Sequence, residues 1–213
     1  MDVGRFKNQP IMGIVRGVKL EQVEPLIETV VSSGLQALEM TMNTQDAPQI
    51  IRKARQIAQN RLMLGAGTVL NMKSLKEALD NGATFIVMPV LVKDVIAYCV
   101  KNKIPVFPGA LTPQEIYQAW EAGATMVKVF PAKCFGPEYF REIKAPFNDI
   151  ELMAVSGVTP QNLAEYFRCG VSAVAFGASV FKKDWLEKGD FTSIGTAIKS
   201  YLTINTKSVV KNI

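Results

Sequence analysis

The sequence predicts an α/β fold in which eight strands alternate with helices and close into a barrel. The first observation is a repeated unit, a helix-type stretch that ends in glycine and leads into a short apolar run: SSGLQALEM, DNGATFIVMP, EAGATMVKVFP and RCGVSAVAFG. The second is its spacing of roughly 40–50 residues, a period typical of stacked supersecondary units. The third is the length of 213 residues, which favours a single domain over 1–213 rather than two small ones.

The elements can be justified in chain order. DVGRFKN predicts a short N-terminal helix at the lower end of the barrel, and further strands are predicted near 11–15, 61–67, 104–109 and 150–157. The apolar runs of the repeated units are apolar on both faces, as buried parallel strands are. Strands that alternate with helices in this number favour the (β/α)8 TIM barrel, and an open doubly wound sheet is the alternative.

The junctions between helices and strands make a more specific prediction. A glycine just past a helix end is expected to adopt the left-handed conformation, in which a side chain is disfavoured. The sequence places such glycines at Gly34, Gly82, Gly123 and Gly170. The polar tail after Leu202 is expected to be a frayed surface segment.

The composition excludes several kinds of chemistry. The chain has no histidine, which removes Ser-His-Asp and Cys-His nucleophiles and most transition-metal sites. Any chemistry must then use Lys, Glu, Asp, Tyr or Cys; the expectation of no metal and no cofactor comes from the family resemblance described below. Cys99, Cys134 and Cys169 are widely separated and form no C-x-x-C pair, so we expect buried, inert thiols rather than disulfides or a zinc site.

Charge and hydropathy indicate where the protein works. The net charge is +5, but lysines and arginines are scattered, which disfavours nucleic-acid binding and is compatible with attracting a small anion. No apolar run reaches the roughly 18 residues that span a bilayer. The opening residues lack the pattern of a secretory signal. We expect a cytoplasmic protein that binds neither nucleic acid nor a membrane.

Two charged residues interrupt otherwise apolar strands. Lys128 in TMVKVFP alternates with Met126 and Phe130, and Glu39 stands within QALEMTMN. Burial lowers the pKa of a lysine and yields the neutral amine that attacks a ketone, while a neighbouring carboxylate can move protons. A lysine that reaches solvent, or a purely structural Lys–Glu ion pair, is the alternative.

Further polar groups stand at predicted strand ends, where barrel active sites lie. The guanidinium group of Arg16 in IVRGV can form two parallel hydrogen bonds to a carboxylate. In GAGTVL, Thr68 offers a hydroxyl, and Gly67 lets a ligand come close to the backbone. The turns VSGVTPQN and FGASVF follow late strands, where barrels often bind phosphate through backbone N–H groups. Arg16 as an ordinary surface residue remains the alternative, and Pro89 and Pro108 commonly mark strand ends.

These motifs together resemble the bacterial 2-keto-3-deoxy-6-phosphogluconate (KDPG) and 4-hydroxy-2-oxoglutarate (KHG) aldolases, including the 6-phosphogalactonate branch. The likeness covers nearly the whole chain through IVRGV, LEMTMNT, GAGTVL, IVMPVL, FPGALTPQE, KVFPAKCFGPEYF, VSGVTPQN and FGASVF. The resemblance implies a metal-free homotrimeric lyase that forms a Schiff base and cleaves a phosphorylated keto acid to pyruvate and glyceraldehyde 3-phosphate, with possible action on 4-hydroxy-2-oxoglutarate.

The resemblance also assigns roles to individual positions. It implies Lys128 as the imine-forming lysine and Glu39 as the acid–base, with Thr68 contacting the substrate carboxylate. The pocket walls fall on Pro89, Pro108 and Phe130, with Val155 beside them. The phosphate contacts fall on Ser156, Gly157, Gly177 and Ser179.

Some positions depart from the family pattern. Asn43 stands where many members carry arginine, and Arg16 supplies the cation in the R-G turn as in the galactonate branch. Ser156-Gly157 replaces the common Gly-Gly. Val155 resembles the galactonate branch, whereas Ser179 resembles the gluconate one. The configuration of the substrate therefore stays open.

Two other functions also stay open as alternatives to an imine-forming aldolase. One is a barrel enzyme that acts without an imine, and the other is a non-catalytic barrel that senses a sugar-acid phosphate.

Overall fold

The strands form one parallel sheet. The structure is a computed structural model that describes residues 1–203. Within that range the strands are β1 Ile11–Val15, β2 Ala37–Thr41, β3 Met63–Gly67, β4 Ile86–Val87, β5 Val106–Phe107, β6 Gly109–Ala110, β7 Val127–Val129, β8 Leu152–Val155 and β9 Ala173–Phe176.

Helices follow the strands around the outside. They are α1 Val3–Asn8, α2 Val23–Ser32, α3 Ala47–Ala58, α4 Met72–Asp80, α5 Lys93–Lys101, α6 Pro113–Glu121, α7 Gly136–Lys144, α8 Leu163–Arg168, α9 Lys183–Lys188 and α10 Phe191–Leu202, with single 3₁₀ turns at Leu20–Gln22 and Ala132–Cys134. Local chemistry fixes several starts. The side chain of Thr112 accepts a hydrogen bond from the N–H of Glu115, and the carboxylate of Glu115 accepts one from the N–H of Thr112, so α6 begins with a capping box.

The predicted barrel is confirmed, and the open doubly wound sheet is wrong. The strand order is β5-β4-β3-β2-β1-β9-β8-β7-β6, so both ends of the sheet lie in one predicted strand, near 104–109. Pro108 splits that strand because it has no N–H to donate. Before it, Val106 pairs with Ile86; after it, Gly109 pairs with Lys128. The eight predicted strands therefore appear as nine, and the fifth closes the ring.

Two apolar cores hold the layers together. The larger lies between the strands and the outer helices. The smaller fills the barrel with side chains that alternate inward along the strands, as in other barrels. Its buried members are Phe6, Met12, Ala37, Met63, Phe85, Val87, Phe107, Met126, Met153, Val155, Ala173 and Ala175.

The lower end of the barrel is closed by the predicted N-terminal helix. Phe6 of α1 is fully buried in the inner core. Its ring meets the ring of Phe107 edge-on at 6.1 Å between centroids, and Phe107 meets Phe85 in the same way at 5.9 Å. These three rings form a packed floor beneath the strands' carboxyl ends.

The junction glycines adopt the predicted conformation. Their φ angles are +88°, +98°, +92° and +87° at Gly34, Gly82, Gly123 and Gly170. A left-handed residue at this point ends the helix and turns the chain into the next strand. The repeated sequence unit is therefore a structural unit.

One prediction about cysteines is wrong. Cys99 and Cys169 are buried free thiols, but Cys134 is exposed because the segment after β7 runs over the surface in a 3₁₀ turn. The predicted frayed tail lies outside the described residues except for its first position. No helix within residues 1–203 has the length and apolar character needed to cross a membrane.

Candidate active site

A cavity of about 830 Å³ opens at the carboxyl ends of the strands. It brings together all the predicted site residues except Gly67 and Pro108. Those lining it are Arg16, Glu39, Thr68, Pro89, Lys128, Phe130, Val155, Ser156, Gly157, Gly177 and Ser179. They come from strands and loops distant in sequence, which the barrel collects at one end.

Lys128 is held at the bottom of this cavity by its strand. Its side chain is only 6% exposed, and its backbone N–H donates to the carbonyl oxygen of Pro108 at 2.9 Å. Pro108 is buried in the wall behind the cavity, so it positions the strand of Lys128 rather than lining the cavity. The ammonium of Lys128 lies 5.4 Å from the ring centroid of Phe130, which covers it on the mouth side.

Glu39 faces the same cavity from β2. It is 1% exposed, and its Oε2 has no hydrogen-bond partner among residues 1–203. A carboxylate oxygen buried without a donor is costly, so its presence indicates a functional constraint rather than a stabilising contact. The alternation of β2 also points Thr41 inward, two residues further along.

Burial shifts both groups toward their neutral forms. Desolvation lowers the pKa of Lys128, opposed by the charge of Glu39 and assisted by the charge of Arg16. Desolvation raises the pKa of Glu39, opposed by the positive charges of Lys128 and Arg16. Opposite shifts in a facing pair are the arrangement expected of a nucleophile and its proton carrier.

Gly67 has a role that the sequence did not reveal. A Cβ at this position would stand 2.1 Å from Oε1 of Glu39, so the missing side chain is the space that the carboxylate occupies. Gly65, opposite Glu39 in the register of β2 and β3, makes similar room for the ring of Phe85. The two glycines of GAG therefore leave room inside the barrel for the side chains of Glu39 and Phe85.

Arg16 follows β1 on a loop that is tied to β2. The N–H of Gly17 donates to the hydroxyl of Thr44 at 3.0 Å, and that hydroxyl lies 3.0 Å from the hydroxyl of buried Thr41. This chain of hydroxyls fixes the backbone next to Arg16. Sequence reasoning missed Thr41 and Thr44, although Thr41 shares the inward face of Glu39 and could have been found from the alternation.

Two loops form the opposite side of the cavity. In the loop after β8, Ser156 and Gly157 both have φ of +81°. In the loop after β9, the N–H groups of Val180 and Phe181 donate to the carbonyl oxygen of Gly177 at 3.0 and 2.9 Å, which makes a tight turn. Backbone N–H groups on such turns are suited to bind an anion.

The outer part of the cavity adds cations that the sequence did not single out. Lys19 and Lys183 line the mouth and are both exposed, and the ammonium of Lys183 lies 3.6 Å from the carboxylate of Glu187, which also lines the mouth. Scattered lysines gave no sequence signal, because only the fold places them at one rim. Asn43, by contrast, is exposed and does not line the cavity, whereas Arg16 does.

Comparisons with known proteins agree with this geometry. A family model described as KDPG and KHG aldolase matches residues 3–197. The 2-dehydro-3-deoxy-6-phosphogalactonate aldolase of Escherichia coli (strain K12) is 32% identical over 174 residues, which is 81% of this chain and 85% of that protein. The 2-dehydro-3-deoxy-phosphogluconate aldolase of Treponema pallidum (strain Nichols) is 30% identical over 195 residues, 90% of this chain and 92% of that one.

A solved structure shows the same fold. It is described as "Native KDPGal structure", superimposes with a TM-score of 0.87 at 27% identity, and the match covers 96% of this chain and 97% of that one. The family match spans nearly all of the barrel and includes both Lys128 and Glu39. The chain belongs to the KDPG and KHG aldolase family and is an aldolase, a carbon–carbon lyase.

Proposed function

We propose that this aldolase cleaves a phosphorylated 2-keto-3-deoxy sugar acid, KDPG or its galactonate epimer, to pyruvate and glyceraldehyde 3-phosphate through an imine on Lys128. The observation that carries the proposal is the buried pair of Lys128 and Glu39 in one cavity, with shifts in pKa that favour a neutral amine. Arg16 and Thr68 stand beside the pair, and the two loops of Ser156 and Ser179 stand opposite.

The reaction follows from this placement. The substrate carboxylate lies at Arg16 and Thr68. The amine of Lys128 attacks the keto carbon to form a carbinolamine, which loses water to give the imine. Glu39 takes the proton of the substrate hydroxyl, and the adjacent carbon–carbon bond breaks. The electrons of that bond pass toward the imine nitrogen, which converts the imine to an enamine, and the aldehyde leaves. Protonation of the enamine and hydrolysis release pyruvate and restore the amine.

The substrate phosphate is placed at the opposite side of the cavity. Backbone N–H groups around Gly157 and Gly177 supply donors, and Lys19 and Lys183 add positive charge at the mouth. Pro89, Phe130 and Val155 enclose the carbon chain between the two charged ends. Turnover of 4-hydroxy-2-oxoglutarate, which lacks the phosphate, is part of the proposal as a slower reaction.

The decisive experiment is to trap the imine. The protein is incubated with pyruvate and borohydride, which reduces a transient imine to a permanent adduct, and the adduct is located by peptide mass mapping. We expect it on Lys128 in the wild type and in Lys133→Met, and no adduct in Lys128→Met. An adduct on another lysine, or none in the wild type, would refute the mechanism and favour a barrel that only binds the sugar-acid phosphate or acts without an imine.

The same preparation settles the substrate. The two relatives described above are named for the galactonate and gluconate substrates, and they are 32% and 30% identical to this chain. Measuring pyruvate release from each epimer gives two values of kcat/KM. We expect measurable cleavage of at least one of them, and the larger value identifies the preferred configuration.

We also propose that the enzyme is one domain over 1–213, assembles as a homotrimer and works in the cytoplasm. The trimer is what the family resemblance implies, and free Cys99 and Cys169 fit a reducing compartment. Light scattering coupled to size exclusion should give three times the mass of 23.4 kDa. A monomer mass would refute the trimer without affecting the chemistry.

A further inference from the structure

Tyr201 lies behind both loops that close the phosphate side of the cavity. It is on α10, is 3% exposed, and packs its ring against that of Phe176 with 4.5 Å between centroids and 37° between the ring planes. Its hydroxyl donates to the carbonyl oxygen of Val158 at 2.9 Å, in the loop after β8. The same hydroxyl lies 3.2 Å from Oγ of Ser179, in the loop after β9. One buried phenol therefore connects the two loops.

The direction of these hydrogen bonds follows from the number of hydrogens. A phenol has one hydrogen and a carbonyl oxygen can only accept, so the hydrogen of Tyr201 goes to Val158. The bond between Tyr201 and Ser179 then needs the hydroxyl hydrogen of Ser179. The only hydrogen that the Ser179 side chain can donate is directed away from the cavity, toward Tyr201.

The phenol also keeps its proton. Burial raises the pKa of Tyr201, so the group remains a donor throughout the pH range in which proteins are handled. Its ring is fixed by Phe176, and losing the hydroxyl would leave the buried carbonyl of Val158 short of a donor. The link is rigid rather than incidental.

We propose that Tyr201 is a positioning residue that sets the spacing of the two phosphate-binding loops, and that Ser179 acts through Tyr201 rather than by donating its hydroxyl to the phosphate. The inference rests on the proposed function and deepens it. It assigns a role to the last described helix, which contributes no residue to the cavity wall. It also transfers the phosphate contacts of the second loop from the serine hydroxyl to backbone N–H groups.

The test compares two tyrosines that make the same kind of bond. Tyr139 also donates its hydroxyl to a loop carbonyl, that of Leu111, and neither residue lines the cavity. We expect Tyr201→Phe to raise KM for the phosphorylated substrate roughly fivefold to tenfold, as expected for loss of one ordering hydrogen bond, with kcat nearly unchanged. The pyruvate concentration that half-saturates borohydride trapping should not change. Tyr139→Phe should change none of these values.

Two results with Tyr201→Phe would contradict its positioning role. If Tyr201→Phe weakens pyruvate trapping as much as it weakens the phosphorylated substrate, the residue supports the barrel in general. If it leaves KM unchanged, the loops do not depend on it. Either result overturns the proposal.

Ser179→Ala tests the second part of the proposal, that Ser179 acts through Tyr201. If Ser179 acts through Tyr201, the single variants Ser179→Ala and Tyr201→Phe and the double variant should all show a similar rise in KM, because each breaks the same link. If the two increases multiply, Ser179 contacts the phosphate itself and the inference is wrong.

A second probe separates this inference from the proposed function. Inorganic phosphate should raise the thermal midpoint of the wild type and of Tyr139→Phe, and should raise that of Tyr201→Phe by clearly less. This result can be obtained even if no imine forms on Lys128, which would refute the proposed mechanism alone. Equal rises in all three proteins, or no rise in the wild type, would overturn the role of Tyr201.

Discussion

The carboxylate of Glu39 occupies the space that a side chain at Gly67 would fill. A methyl group there would stand 2.1 Å from Oε1 and 2.6 Å from Cδ of Glu39, well inside van der Waals contact. The two residues belong to neighbouring strands, with Glu39 opposite Gly65 and Gly67 opposite Thr41. The absence of a side chain on β3 thus determines where the buried carboxylate of β2 can lie.

Gly67→Ala should therefore damage catalysis more than folding. We expect kcat to fall roughly a hundredfold, because the displaced carboxylate loses its position for proton transfer, and KM to change much less. Steady-state kinetics with the phosphorylated substrate measures both. Gly4→Ala, where a new methyl would lie 3.4 Å from Oδ1 of Asp2, is the matched control and should behave like wild type. A normal kcat in Gly67→Ala would show that Glu39 tolerates displacement.

Arg16 should control the pH at which Lys128 becomes reactive. Its positive charge helps lower the pKa of Lys128, so Arg16→Met should raise that pKa and move the ascending limb of imine formation to higher pH. The rate of borohydride trapping with saturating pyruvate, measured against pH, reports the shift. Arg52→Met removes a surface cation that bonds to Asn81 and should leave the profile unchanged. A limb that stays in place, or moves to lower pH, would contradict the electrostatic role of Arg16.

Ser156 and Gly157 should respond oppositely to substitution although both have φ of +81°. Ser156→Gly removes a side chain from a left-handed conformation and should raise the free energy of unfolding by about 1 kcal/mol. Gly157→Ala should lower it, because the new Cβ would stand 2.5 Å from Cβ of Lys133 in addition to the unfavourable backbone conformation. Urea unfolding with an unchanged m-value measures both. A loss of stability in Ser156→Gly would mean that its side chain makes a compensating contact.

The buried pair of Lys128 and Glu39 should be a source of instability. Desolvation is the largest influence on the pKa of both Lys128 and Glu39, so each is held in the folded state against its preferred ionisation. We expect the double variant Lys128→Met/Glu39→Gln to be about 1–4 kcal/mol more stable than wild type near neutral pH, while being inactive. Urea unfolding at neutral pH tests this, and a less stable double variant would contradict it.

The pH dependence of this gain has a defined sign. The pKa of Glu39 is raised on folding, so its cost appears as pH rises above the unfolded pKa, about 4, and the gain from Glu39→Gln should disappear below that pH. The pKa of Lys128 is lowered on folding, so its cost appears as pH falls below the unfolded value, and the gain from Lys128→Met should disappear in strongly alkaline solution. Unfolding curves of the single variants across pH separate the two contributions.

The sequence predicted the barrel because its signals are local and repeated. The left-handed glycines at Gly34, Gly82, Gly123 and Gly170 mark four helix-to-strand junctions, and the apolar runs after them can only be buried between helix layers. Pro108 was expected to mark a strand end and to form part of the pocket wall, yet it divides the strand that closes the ring and does not line the cavity. A one-residue interruption has no separate signature in the pattern of apolar residues.

The site was partly predictable for a different reason. Lys128 and Glu39 contradict the apolar character of their strands, and such contradictions can be seen without a structure. Gly67, Thr44 and Tyr201 do not contradict anything local: a glycine, a threonine after a strand and a tyrosine in a helix are all ordinary. Their importance comes from what lies across from them, and only the three-dimensional arrangement supplies that.

The packed rings of Phe6, Phe85 and Phe107 give the barrel a floor, so reactants reach Lys128 from the loop end. In the proposed reaction the triose phosphate lies between that mouth and the pyruvate unit on the lysine. The aldehyde product must then depart before pyruvate does, and in the synthetic direction pyruvate must bind first. In the proposed reaction this order makes pyruvate a competitive inhibitor against the sugar acid, whereas the triose phosphate inhibits by capturing the enamine before pyruvate is released.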